Sequence, residues 1–92
     1  MLGQRINELR LAFGWSQVQL AEKLRISKQT VSNWENDNIQ PSIEMLVRLA
    51  QLFHVSTDYL LGLDGKRTID AEGLPMAFVA HLTQLIEDYK QK

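Results

Sequence analysis

Ninety-two residues, 45% of them apolar, supply one compact core and leave no room for a second, ligand-sensing domain. The absence of cysteine excludes disulfide frameworks, thiolate metal sites and thiol-based redox sensing. A formal net charge of -1 gives no global basic field, so a nucleic-acid reading has to rest on local geometry.

The opening segment MLGQRINELR lacks the long apolar run of a secretory signal. No window reaches the roughly 18 apolar residues that a membrane span requires. The expectation is a soluble, cytoplasmic protein with no membrane partner.

Leu2, Ile6, Leu9 and Phe13 recur at helical spacing and Gly14 offers a C-terminal stop, which predicts a first helix. Ser16 stands three residues before Gln19 in a capping-box pattern, and Val18, Leu20, Ala21 and Leu24 form the inner side of a second helix ending near Leu24. Ser27 is a further N-cap. The helix it starts buries Val31 and Trp34 and turns Lys28, Gln29, Ser32 and Asn33 outward. Residues 36–41 read as a polar, turn-rich loop, after which Ser42 caps a fourth helix with Leu46, Leu49, Ala50 and Phe53 inside. Ser56 or Thr57 starts a short fifth through Tyr59, Leu60 and Leu61, closed by Gly62.

Residues 63–75, LDGKRTIDAEGLP, shift to glycine, proline and alternating charge, the composition of a tether. Beyond them Phe78, Leu82, Leu85 and Tyr89 repeat with four-three-four spacing, joined by Val79 and Ile86 on an adjoining line. This predicts an amphipathic helix from Met76 to Tyr89. The chain therefore divides into an all-α domain over 1–62, a linker over 63–75 and a C-terminal helical segment over 76–92.

The second and third helices meet three physical demands of a unit that reads DNA: a small residue where they cross, apolar residues that lock their angle, and polar residues facing out from the second. Ala21 is the small residue. Leu20, Leu24, Ile26, Val31 and Trp34 lock the angle, and Lys28, Gln29, Thr30, Ser32 and Asn33 face outward. Glutamine and asparagine can pair N6 and N7 of adenine, and lysine can donate to O6 or N7 of guanine, so Lys28, Gln29, Ser32 and Asn33 are the expected base-contacting set. The backbone N–H groups at Ser16 and Gln17 suit a phosphate at a helix N-terminus. Arg25, Ser27, Thr30, Asn36 and Asn38 complete the expected phosphate-facing set.

These residues carry a resemblance. WSQVQLAEKLRISKQTVSNWEND, followed by PSIEMLVRLAQLFHVSTDYLLG, resembles the Cro and phage-repressor family, the xenobiotic-response-element type of helix-turn-helix, over about two-thirds of the chain. The specific features are the SQ-x-x-LA start, the TVSNWE run, the PS before the fourth helix and the DYLLG close. The resemblance implies a five-helix, lambda-repressor-like DNA-binding domain, here followed by a tether and one C-terminal amphipathic helix. It further implies phosphate binding by Gln17 and Asn36, base-edge contacts from Lys28, Gln29 and Asn33, and a repressor that binds a palindromic operator in double-stranded DNA as a homodimer. Related repressors pair an arginine late in the first helix with a glutamate after the third-helix aromatic, which implies a partly buried Arg10–Glu35 salt bridge here. Arg25 departs from the pattern, standing where a left-handed turn often takes glycine, at a cost of roughly 1–2 kcal/mol.

Plainer readings stand beside these. Lys28 also fits an ordinary exposed lysine, whereas the spacing of Trp34 from Val31 places it in the core. His54 and His81 have no partner at metal-ligand spacing, although His81 lies beside the apolar seam of the last helix and could form a pH-sensitive dimer contact. Asp58, Asp64 and Asp70 form no acid/base pair. No phosphate loop, dinucleotide fingerprint or nucleophile elbow occurs, so neither an enzyme nor a cofactor is expected. For Phe78, Leu82, Leu85 and Tyr89 the readings are dimerisation, folding back onto the domain, or capture of an external protein. The last makes the alternative function an antitoxin-like interaction module with a DNA-binding domain.

Overall fold

The computed structural model describes residues 2–63 and 71–91, within which there are six helices and no strand. These are α1 (Leu2–Ala12), α2 (Gln17–Leu24), α3 (Lys28–Glu35), α4 (Ile43–Phe53), α5 (Thr57–Leu61) and α6 (Met76–Lys90). The last ends one residue beyond its expected limit.

Four helices begin in the same way. Ser16, Ser27, Ser42 and Ser56 each take an extended backbone, and each hydroxyl accepts from the N–H three residues on, at Gln19, Thr30, Met45 and Tyr59. Each such cap is worth about 1 kcal/mol to a helix too short to be stable alone. Left-handed residues stop the helices: Gly14 and Gly62 (φ 77° each), Arg25 (φ 57°) and His54 (φ 55°). Arg25 therefore holds the backbone expected of it, while the same geometry at His54 had no glycine-like signal.

The core is built from Ile6, Leu20, Ala21, Leu24, Val31, Trp34, Leu49, Ala50, Phe53 and Leu60. Through it α1 packs on α3 and α5, α2 on α3, and α4 on α5. Two residues that the helical spacing put on an inner side lie outside, Phe13 at 42% exposed and Val18 at 46%, and Leu61 is 41% exposed. Phe13 follows the last residue of α1, and its ring lies 4.9 Å from Trp15 and 5.2 Å from Phe53, forming a rim over the core. Val18 sits beyond the edge of the stripe that Leu20, Ala21 and Leu24 bury. Leu61 ends a one-turn helix whose inner positions are taken by Tyr59 and Leu60.

The tether expectation falls largely on residues outside those described, as do Asp64 and Asp70. Of the remainder, Leu74 donates its N–H to the Ala71 carbonyl in a turn at 3.1 Å before α6. Among the described residues no helix is long and apolar enough to cross a membrane, and no group of acidic and histidine side chains could hold a metal ion.

Candidate nucleic-acid interface

The joint between α2 and α3 is held by three hydrogen bonds. The N–H of Arg25 reaches the Glu22 carbonyl at 3.2 Å, and that of Ile26 reaches the Ala21 carbonyl at 2.9 Å. The Arg48 guanidinium, from α4, donates to the Leu24 carbonyl at 2.8 Å. Carbonyls that the end of α2 would leave unpaired are thus used to fix the turn. Beneath it Ala21 is 3% exposed and Val31 fully buried, so α3 is seated against α2 by side chains without slack.

Gln29, Ser32, Asn33 and Asn36 recur at i, i+3, i+4 and i+7 and form the outward face of α3 and its cap. Two side-chain bonds run along this face: Gln29 Nε2 donates to Asn33 Oδ1 at 3.1 Å, and Asn36 Nδ2 donates to Ser32 Oγ at 3.4 Å. Lys28 is exposed at the edge, about 100° around the helix from Gln29. Thr30 turns the other way, and its hydroxyl lies 2.8 Å from that of Ser27 within the N-cap. Arg25 is exposed on the turn, and Asn38 is exposed with its N–H bonded to the Asn33 carbonyl at 2.9 Å.

At the start of α2 the geometry differs from the sequence expectation. The capping box occupies the Ser16 N–H, which donates to Gln19 Oε1 at 2.8 Å, so that group does not point out free for a phosphate. The Gln17 side chain is also engaged, its Nε2 donating to Glu35 Oε1 at 3.1 Å. One of the two amide hydrogens remains for an outside acceptor.

Glu35 is the hub that places Gln17. Its Oε1 also accepts from Asn7 Nδ2 at 2.9 Å and Arg10 Nη2 at 3.0 Å, and its Oε2 accepts from Arg10 Nε at 2.7 Å. Arg10 spends its remaining nitrogen on the Trp15 carbonyl at 2.8 Å. The implied Arg10–Glu35 salt bridge is therefore present and bidentate, with side chains 10% and 5% exposed. Burial opposes ionisation of Glu35, but hydrogen bonds from Arg10, Asn7 and Gln17 outweigh it and hold the carboxyl below the usual carboxylate range. The Glu35 hydrogen bond likewise raises the Arg10 guanidinium above its ordinary value. The chemical consequence is a fixed, neutralised pair where an unpaired carboxylate would repel phosphate.

Sequence reasoning missed three residues that position this surface. Asn7 joins the Glu35 hub, Arg48 locks the turn, and Gly3 admits the end of α3 against the start of α1. A Cβ on Gly3 would stand 2.4 Å from the Trp34 carbonyl oxygen and 2.8 Å from that of Glu35. The Gly3 N–H donates to Asp37 Oδ1 at 3.2 Å, anchoring a residue held in the left-handed region at φ 59°. The signal that could have found Asn7 is its place one helical turn before Arg10.

A separate feature is the apolar face of α6. Val79, Leu82, Leu85, Ile86 and Tyr89, with Ala71, line an open groove of about 530 Å³. The helix buries none of its own residues. Leu82, Leu85 and Tyr89 of the expected seam line this groove; Phe78 is not among its lining residues and is 47% exposed. His81 is exposed.

Comparison with known proteins places this geometry. Residues 6–60 match the helix-turn-helix family model. The transcriptional regulator ImmR of Bacillus subtilis is 46% identical over 63 residues, which cover 68% of this chain and 50% of ImmR. The regulator SinR of the same organism is 36% identical over 74 residues, 79% of this chain and 65% of SinR. The chain spans about half the length of the curated relatives it matches first. A solved structure of a SinR protein/SinI protein complex superposes with a TM-score of 0.62 at 28% identity, covering 100% of both chains.

Proposed function

The chain belongs to the helix-turn-helix family of Cro and phage-repressor type, and from this premise we propose that it is a sequence-specific DNA-binding transcriptional regulator. It acts as a repressor, binding a palindromic operator as a homodimer with one α3 in each major groove. The observation that carries the reading is the outward face of α3: Gln29, Ser32, Asn33 and Asn36 are aligned polar side chains on a helix whose other side is locked into the core. Polar side chains on a rigid helix are what base-edge readout needs. Lys28, Gln29, Ser32 and Asn33 contact bases.

Ser16, by its hydroxyl because its N–H is taken by Gln19, together with Gln17, Arg25, Ser27, Thr30, Asn36 and Asn38, sets the position of that face on the phosphate backbone. Gln17 does so with the amide hydrogen that Glu35 leaves unused. With a chain net charge of -1, few contacts are ionic. The salt dependence is correspondingly shallow, at roughly 0.9 log unit per neutralised phosphate.

Phe78, Leu82, Leu85 and Tyr89 on α6 join two copies, and half-sites lie about one helical turn, roughly 34 Å, apart if the dimer follows the usual helix-turn-helix geometry. The test is selection of bound sequences from a random duplex pool, with a mass measurement of the free protein. A two-fold symmetric consensus and a dimeric mass are expected. Binding with no preference over scrambled duplex would overturn the reading.

A second reading, in which α6 holds a different protein, is favoured by the likeness to a two-protein complex. Removing residues 76–92 distinguishes the two. Loss of operator affinity supports the homodimer, while intact operator binding with loss of a co-purifying protein supports the interaction module.

A further inference from the structure

We infer that Gln29 and Asn33 read two adjacent base pairs as one coupled unit, in which Asn33 sets the base preference of Gln29. This rests on the proposal that α3 reads DNA. The bond from Gln29 Nε2 to Asn33 Oδ1 at 3.1 Å joins side chains one turn apart on the outward face. It ties the two amides together, so that neither turns over without the other. An isolated glutamine on an exposed helix can rotate its amide by half a turn, exchanging donor and acceptor, and so offers adenine and guanine edges comparable pairings.

Here Gln29 cannot make that exchange alone, because a rotated Gln29 would set its own carbonyl oxygen against the oxygen of Asn33; only both amides turning over together restores the bond. In the arrangement present, Gln29 keeps Oε1 and its remaining N–H for an outside partner. That pair suits adenine, whose N6 donates and whose N7 accepts. Asn33 has its carbonyl oxygen occupied and turns two N–H donors outward. Two donors suit an edge made of acceptors, and guanine offers both O6 and N7. In this arrangement the unit calls for an adenine under Gln29 and a guanine beside it, and the coupling allows only the reverse pair when both amides turn over together.

Asn33 is a positioning residue for the first base and a contact for the second. The two roles separate in two variants. Asn33→Asp keeps an acceptor for Gln29 Nε2 but removes both donors, whereas Asn33→Leu removes acceptor and donors together. Both substitutions lie on the helix surface, and circular dichroism is used to check that each variant remains folded.

The experiment measures binding of wild-type protein and both variants to duplexes that vary each base of the selected consensus. Asn33→Leu should lose about tenfold in adenine preference at the Gln29 position and a similar factor in guanine preference at its neighbour. Asn33→Asp should lose only the second, with weaker binding to all duplexes from the added charge. If Asn33→Leu leaves the adenine preference intact, or if both variants lose it alike, the coupling is refuted while DNA reading by α3 stands. If the wild-type protein prefers no duplex, DNA reading itself fails.

Discussion

Arg48 on α4 donates to the carbonyl oxygen of Leu24, the last residue of α2, at 2.8 Å, and so ties the fourth helix to the turn that aims the third. The same guanidinium rests 3.5 Å from the Met45 sulfur, one turn back on its own helix. A charged donor on a part-buried carbonyl is worth about 1.5–3 kcal/mol. Arg48→Met keeps most of the apolar stem and removes only the donor. It should lower unfolding stability by that amount in urea titrations, whereas an unchanged midpoint would show that the bond does not hold the turn.

The next residue is the strained one. Arg25 sits at φ 57° and ψ 46°, a conformation that costs a residue with a Cβ roughly 1–2 kcal/mol. Glycine adopts it freely but loses more backbone entropy on folding. Arg25→Gly should therefore stabilise the domain by up to about 1 kcal/mol and raise Tm by several degrees. A lower Tm in a thermal scan would contradict the left-handed turn.

Gly3 makes the opposite prediction. A methyl group there would meet two backbone carbonyls, those of Trp34 at 2.4 Å and Glu35 at 2.8 Å, which cannot rotate away as a flexible side chain could. Gly3→Ala should cost about 1–3 kcal/mol through forced separation of α1 from the end of α3. Because that end carries the outward polar face, DNA affinity should fall further than stability alone explains. A variant as stable as the wild type would show that α1 is free to shift.

These residues also mark what was legible in the sequence. The four serine caps and the burial of Val31 and Trp34 could be read because each depends on neighbours within one or two turns, whereas the left-handed turn at Arg25 came from family likeness. The Arg10–Glu35 pair spans 25 residues and came only from family likeness. Gly3 with Asp37 and Arg48 with Leu24 lie 34 and 24 residues apart, and no periodicity announces them. Phe13 and Val18 fit the helical pattern yet lie outside, since short helices bury a narrower stripe than the pattern allows. At the proposed interface the residue types were legible. Which donors are already spent, at Ser16, Gln17 and Gln29, depends on side-chain geometry that spacing does not encode.

Glu35 gives the pH dependence. Its carboxyl is held below the ordinary range in the folded protein, so the unfolded chain takes up a proton first as pH falls. The stabilisation is therefore complete above the unfolded value of about 4.3 and is lost as pH drops through the lower folded value. The urea midpoint of the wild type should fall as pH drops below about 5, and Glu35→Gln, which cannot titrate, should flatten that limb. At neutral pH, Glu35→Ala should cost about 3–5 kcal/mol, because it strands the Arg10 guanidinium inside. Parallel acid limbs in Glu35→Gln and wild type would remove Glu35 as the source.

Leu82 tests the last helix. It lies between the line of Phe78, Leu85 and Tyr89 and the line of Val79 and Ile86, so a charge there interrupts the whole apolar arc. An exposed arc of this kind on a helix with no buried residue needs a cover, and a second copy supplies the same arc in return. Leu82→Asp should convert a dimer to a monomer in sedimentation. It should leave the Tm of the N-terminal domain unchanged and weaken operator binding by about 10²–10⁴-fold as the second half-site is lost. A fall in domain Tm with no change in mass would mean instead that α6 folds back onto its own domain. A monomeric wild type would leave the arc to another protein.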